Sequence, residues 1–324
     1  MDRKRIALIG CMMLIILSAC NPAATTSSTR PAALTSTESS VPSNGPRVPD
    51  FAHIVVILFE NQEFDEIIGD DESPNYNELA GRNTLLTQYY AIRHPSLPNY
   101  LALFGGDTFG VTKDCTTCFI DSPSLPDQIE SSGRTWKAYL EDMPSPCFIG
   151  DAGTYVQKHD PFIYFDPIRQ DAARCRRSVV PLTELSTDLA SGSLPDFVYI
   201  MPNLCNSAHN ASMLDPSCSV KNSDKWLGNM EKKLQANLDA SGQSYLIAVS
   251  WDEGTSDKSC CGLPKSAGGR VATLLISPQA KSGFQDATPY THYSLLKTIE
   301  TAWNLPLLGH AADQTNALIT APWR

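Results

Sequence analysis

Continuous apolar runs of strand length punctuate the chain at residues 54–59, 197–201, 245–251 and 271–277. Runs without polar alternation predict strands covered on both faces, as in parallel sheets. Between them, apolar positions recur at spacings of three and four over residues 96–103, 182–190, 224–239 and 293–304, which predicts amphipathic helices. Strands that alternate with helices give an α/β fold, a central sheet with helices on both faces. Residues 107–181 break the rhythm and are rich in Pro, Gly, Asp and Cys. A long irregular stretch of this kind is either a functional lid or a disulfide-pinned decoration, and its cysteines favour the second.

The first residues follow a different logic. Arg3-Lys4-Arg5 precede an apolar core at residues 6–17, and Leu17-Ser18-Ala19-Cys20 forms a small-residue cleavage site. Residues 1–19 therefore read as an export signal, too short and wrongly flanked for a membrane span. The Leu-Ser-Ala-Cys ending resembles the bacterial lipoprotein box, which implies a lipid anchor on Cys20 and a place at the cell membrane or envelope; plain secretion is the alternative. Residues 20–47, rich in Ser, Thr, Pro and Ala, read as a disordered leash. Residues 48–324 then form a single folded domain.

Charge and cysteine content narrow the partners. Loss of residues 1–19 removes three basic residues and one acidic one, moving the formal charge from −10 to −12. Such an acidic domain has no electrostatic footprint for nucleic acid. It still admits phosphate-bearing substrates if a bound cation reverses the field locally. Beyond Cys11 and Cys20, eight cysteines remain, an even number that implies disulfides in an exported chain. Cys115-Thr-Thr-Cys118 reads as a structural bridge, whereas adjacent Cys260 and Cys261 are expected to have separate partners, because joining them is geometrically awkward.

Candidate chemistry sits just beyond the strand-like runs. His53-Ile-Val-Val-Ile-Leu-Phe-Glu60-Asn61 is a buried strand ending in a carboxylate and a carboxamide. Asn203, Asn206 and His209 follow the run at 197–201, and Asp252-Glu253 the run at 245–251. Polar groups at the carboxyl ends of several strands share one crevice in open α/β sheets, and oxygen ligands suit a hard cation. Ser96, in His94-Pro-Ser-Leu-Pro-Asn99-Tyr100, stands where a helix begins, so its hydroxyl faces free amides and the positive end of the helix dipole. It reads either as a plain helix cap or, with a cation nearby, as a nucleophile. Among the histidines, His53 reads as structural and His310 as a surface residue. His94, His159, His209 and His292 suit phosphate contact or leaving-group protonation.

Taken in order, these segments resemble the bacterial phosphoesterase family of phospholipases C and certain acid phosphatases, a branch of the alkaline phosphatase superfamily. The similarity rests on Glu60-Asn61-Gln-Glu-Phe-Asp65, the segment 94–100, Lys158-His-Asp-Pro-Phe162, Pro202-Asn-Leu-Cys205 with His209, Asp224-Lys-Trp-Leu227, Trp251-Asp-Glu253 and residues 291–300. The resemblance implies an alkaline-phosphatase-like three-layer sandwich around a mostly parallel sheet. It implies that Glu60, Asn61, Ser96, Asp252 and Glu253 surround one divalent cation, with Ser96 as nucleophile. His159, His209 and His292 would lie near the phosphate or leaving group, with Asn61, His94 and Asn99 on the substrate side. Asn206 and Asn210 depart from the family's carboxylates around the histidine matched by His209, and neutral Asn206 argues for one metal. The reading is an exported, metal-dependent phosphoesterase of acid-phosphatase type that works through a phosphoserine. The alternatives are a phosphodiesterase or phospholipase C acting on lipid headgroups, and a non-catalytic ligand-binding lipoprotein on the same fold.

Overall fold

The apolar run before Glu60 becomes strand β1 (His53–Phe59), with every side chain buried. Burying a Val, Ile, Leu or Phe side chain is worth about 1.5–3 kcal/mol, which makes such a strand a natural centre for the sheet. Its neighbours are two other continuous apolar strands. Phe197–Met201 and Tyr245–Trp251 both run parallel to it, with Ile54 opposite Phe197 and Leu246. The computed structural model describes residues 47–209 and 218–324. The expectations for the signal at 1–19, Cys20, the leash up to residue 46 and Asn210 lie outside the described residues.

In chain order the remaining strands are β2 (Thr84–Tyr90), β3 (Trp136–Leu140), β4 (Val179–Pro181), β7 (Arg270–Ile276), β8 (Phe284–Asp286) and β9 (Tyr290–Thr291), with β5 at Phe197–Met201 and β6 at Tyr245–Trp251. The sheet order is β4-β3-β5-β1-β6-β7-β2-β8, and β9 also pairs with β2. Every pairing is parallel except those of β7 with β6 and β2. Helices Pro74–Arg82 and Val220–Ser241 pack together, as do Leu97–Gly105 and His292–Ala302. These helix layers cover the two faces of the sheet, the α/β architecture expected. Asp224 ties one layer together, accepting the Tyr76 amide at 2.8 Å and the Asn75 carboxamide at 2.6 Å, where the helix at Pro74–Arg82 has unpaired donors.

The segment 107–181 corrects its expected role as a decoration. It supplies β3 and β4, one flank of the central sheet, and β3 pairs in register with β5 from Trp136–Phe197 to Leu140–Met201. It is nonetheless pinned, by the bridges Cys115–Cys118 and Cys147–Cys175. Cys205 joins Cys218, and Cys260 joins Cys261. The last bridge overturns the expectation of separate partners. The other six pair among themselves, and Cys261 adopts a left-handed conformation (φ 61°) followed by Gly262 (φ 84°), a turn that brings the two neighbours together. Among the described residues no helix is long and apolar enough to cross a membrane.

Candidate active site

The carboxyl ends of β1 and β6 lie side by side because the two strands are parallel and in register from His53–Tyr245 to Phe59–Trp251. Glu60, Asn61, Asp252 and Glu253 therefore emerge at one edge, and all three carboxylates are buried. The backbone of Asn61 turns left-handed (φ 56°), a conformation that Asn tolerates better than most side chains, and its amide donates to Asp252 Oδ1 at 3.2 Å.

Ser96 precedes the helix Leu97–Gly105, as expected, but its hydroxyl does not cap it. The first helical amide, Leu97 N, donates instead to Asp114 Oδ1 at 3.0 Å. Ser96 Oγ is thereby left to donate to Glu60 Oε2 and Glu253 Oε1, both at 3.2 Å. Of the two readings left open by the sequence, the cap is taken by another residue. Tyr100, one helical turn on, donates to the second oxygen of Glu60.

The electrostatics of this oxygen cluster are unbalanced. Burial raises the Glu60 carboxyl, but His159, Lys158 and His209 outweigh it and hold Glu60 well below the usual range. Burial, followed by repulsion from Glu60 and Glu253, pushes Asp252 well up. Burial also lifts Glu253 to about 7, against the opposing pull of His94. Asp252 Oδ2 is buried and has no hydrogen-bond partner. Three buried carboxylates, two of them on the Ser96 hydroxyl and the third with an orphaned oxygen, are the donor set that a hard divalent cation satisfies. The residues present fit such an ion.

On the other side of Ser96 the groups are basic. Lys158 Nζ lies 3.3 Å from Ser96 Oγ, 2.9 Å from Asp114 Oδ2 and 3.2 Å from His209 Nε2. His159 Nε2 stands 2.8 Å from Glu60 Oε1, an ion-pair distance without hydrogen-bond alignment. Burial keeps His159 below its ordinary value despite Glu60. Glu60, His159 and His209 bring ligand atoms within 4.8 Å of one another, a second grouping able to hold a metal. The ammonium beside His209 disfavours a cation there, so the oxygen-rich side is the better cation site.

Three expected site residues have their polar atoms engaged by neighbouring groups. Asn99 accepts the Ile92 and Arg93 amides and donates to the Arg93 and Pro95 carbonyls, which uses its whole carboxamide on the loop before Ser96. It has nothing left for substrate. His292 places Nε2 2.6 Å from the Asp252 carbonyl and Nδ1 3.2 Å from the Tyr89 hydroxyl, and burial lowers it to about 4. A neutral imidazole with its Nε2–H donated to that carbonyl braces the backbone of Asp252. His94 bridges Glu253 Oε2 (2.5 Å) and the Ser256 carbonyl (3.1 Å), which steadies Glu253. Asn206 turns away to both oxygens of Glu141.

Sequence reasoning missed Asp114, and met Tyr100, Glu63 and Lys158 only inside family segments. Glu63 accepts the Thr255, Ser256 and Arg270 amides and the Ser256 hydroxyl, fixing the loop that holds His94. A Cβ on Gly254 or Gly269 would meet its Oε2 at 2.3 or 2.7 Å, so that loop requires glycine. Tyr100 was detectable, lying four residues after Ser96 on the same helix face.

With this geometry in view, the similarities to known proteins carry weight. The family model described as "Phosphoesterase family" matches residues 70–306. The chain belongs to the phosphoesterase family. Membership gives the reaction class, hydrolysis of phosphoric esters. The chain is 31% identical over 270 residues to a phosphatidylinositol-3-phosphatase of Mycobacterium tuberculosis, covering 82% of this chain and 81% of that protein. It is 33% identical over 272 residues to a phosphate-repressible acid phosphatase of Penicillium chrysogenum, covering 80% of this chain and 60% of that protein. Among solved structures, a protein of the alkaline phosphatase superfamily from Vibrio parahaemolyticus superposes with a TM-score of 0.55 at 14% identity, covering 85% of this chain and 72% of the other. That likeness speaks to the fold alone, and it matches the sheet described above.

Proposed function

We propose that this phosphoesterase is a metal-dependent phosphatase that uses Ser96 as nucleophile. The observation that carries the reading is the Ser96 hydroxyl, released from capping and 3.2 Å from each of two buried carboxylates. Glu60, Asn61, Ser96, Asp252 and Glu253 would hold one divalent cation. When bound, it would lower the serine's pKa and neutralise charge on the phosphoryl oxygens. Ser96 Oγ forms a bond to phosphorus as the bond to the leaving oxygen breaks, and its proton passes to Glu253, the carboxylate in hydrogen-bond contact that burial makes the better base. His209 supplies the proton that the departing oxygen needs. Water then displaces Ser96 from phosphorus, releasing orthophosphate and returning the serine its proton.

The named activities of the relatives, acid phosphatase and phosphatidylinositol-3-phosphatase, support a phosphate monoester as substrate. A lipid headgroup is favoured if Cys20 carries a lipid and holds the domain at a membrane. The catalytic reading is tested by Ser96→Ala with p-nitrophenyl phosphate. Turnover is lost while elemental analysis still finds the metal; retained turnover sinks the nucleophile. The envelope placement is tested by Cys20→Ser in the full chain, which moves the protein from the membrane fraction to the soluble one. An unchanged distribution rejects the lipid anchor.

A further inference from the structure

Lys158 brings a positive charge up to the nucleophile, which the cation reading of the carboxylate cluster does not use. Its ammonium has three close partners: Asp114 Oδ2, His209 Nε2 and the nucleophile itself. A plain surface ion pair would need only the first. Lys158 also borders a cavity of about 360 Å³, shared with Asp114 and Tyr164 but not with Ser96, so the lysine stands between that opening and the nucleophile's hydroxyl. Its position is fixed from behind. Asp114 grips the ammonium with one oxygen and the first amide of the Ser96 helix with the other, and the Cys115–Cys118 bridge begins at the next residue. Lysine and nucleophile are thus tied through a single carboxylate.

From this geometry we infer that Lys158 is a catalytic residue that binds the equatorial phosphoryl oxygens and selects dianionic monoesters over monoanionic diesters. The inference rests on the serine-phosphatase reading and deepens it. Phosphorus attacked by Ser96 must lie within bonding reach of Oγ, so a cation 3.3 Å from that oxygen contacts the phosphoryl group as well. The three site carboxylates and Asp114 would repel a dianion entering this acidic crevice. One divalent ion offsets two of those charges, and the ammonium adds a further positive charge 3.3 Å from the hydroxyl. A diester carries one negative charge fewer on its transferring group and gains less from that second cation. Asp114 is the positioning residue, acting through Lys158 and the helix start.

The test compares kcat/KM for p-nitrophenyl phosphate and for the diester methyl p-nitrophenyl phosphate in the full-length enzyme. Lys158→Met is expected to lower the monoester value about 100-fold and the diester value less than about 5-fold, as for loss of one preorganised charge contact. Lys158→Arg should recover part of the monoester rate, since it keeps the charge. Asp114→Asn should give the same selective loss, to a smaller extent. Orthophosphate binding by calorimetry weakens in Lys158→Met, while metal content by elemental analysis is unchanged. Equal losses on both esters, or undiminished orthophosphate binding, overturn the assignment. If the wild type hydrolyses neither ester, the phosphatase reading fails, and the calorimetric comparison still decides whether Lys158 binds the anion.

Discussion

The two sides of Ser96 are built by different means. The oxygen-rich side comes from adjacent parallel strands, where Glu60, Asp252 and Glu253 leave β1 and β6 at matched register. The basic side comes from loops: Lys158 and His159 from a short 3₁₀ turn in the segment 107–181, and His209 from the stretch after β5. Strands position their groups through the sheet, whereas loops need separate fastening. Here that is done by Asp114, the Cys115–Cys118 bridge, and the Cys205–Cys218 bridge beyond β5. On the proposed reading, one hydroxyl stands between a place for a cation and a place for an anion. A rigid scaffold thus provides the former, and cross-linked loops the latter.

The largest expected effect falls on the strand-built side. Asp252→Asn or Glu60→Gln should remove the metal, read by elemental analysis, and lower kcat/KM about 1,000-fold or more. Full metal occupancy in both variants breaks the division between the two sides. Next comes the support behind that side. His292→Ala frees the Asp252 carbonyl and leaves Tyr89 without its acceptor, and should weaken metal affinity about 10- to 100-fold in a chelator titration. An unchanged affinity means that Asp252 does not need its imidazole.

The loop-built side should yield more gently. Replacing both Cys115 and Cys118 by serine loosens Asp114 and Lys158 without touching the carboxylate cluster. A drop of about 5-fold in monoester kcat/KM with normal metal content fits the comparison, given that misplaced charge contacts cost a fraction of lost ones. Loss of metal in this variant would show that the two sides are not separately built.

The smallest effect tests whether a displaced carboxyl alone marks a site. Glu300 lies away from the crevice, and burial pushes it up to about 8 from an ordinary 4.5. Its Oε1 accepts the Leu308 amide and its Oε2 is buried without a partner. Because the folded value lies above the unfolded one, the protonated fold is fully stabilised below about pH 4.5. That contribution is lost as pH rises towards 8, where the buried carboxyl ionises. Glu300→Gln should remove this slope, raising stability by about 1–2 kcal/mol at pH 8 and little at pH 5. Tm measured at the two pH values checks it, with activity unchanged.

Legibility in the sequence followed the same division. β1, β5 and β6 read directly, because strands buried on both faces are continuous apolar runs. The carboxylates at their ends could be placed in one crevice by topology alone. β2 was hidden because a register shift between Leu86 and Tyr89 disrupts its pattern against β7. β3, Trp-Lys-Ala-Tyr-Leu, lay inside a stretch whose Pro, Gly and Cys content spoke for loops. Asp114 and Lys158 stand 44 residues apart, and no local spacing announces their contact. Asn99, His94 and His292 were recognised as belonging to the site, but their roles depend on backbone partners that only the fold supplies. Residue type points to the neighbourhood, and the hydrogen-bond partners of each side chain come only from the fold.

The central claim is that Ser96 becomes covalently bonded to phosphorus, and the stereochemical course of the reaction tests it most directly. With an isotopically chiral phosphate monoester and an acceptor alcohol, two successive in-line displacements predict retention of configuration at phosphorus. Inversion would mean a single direct attack and contradict a phosphoserine intermediate.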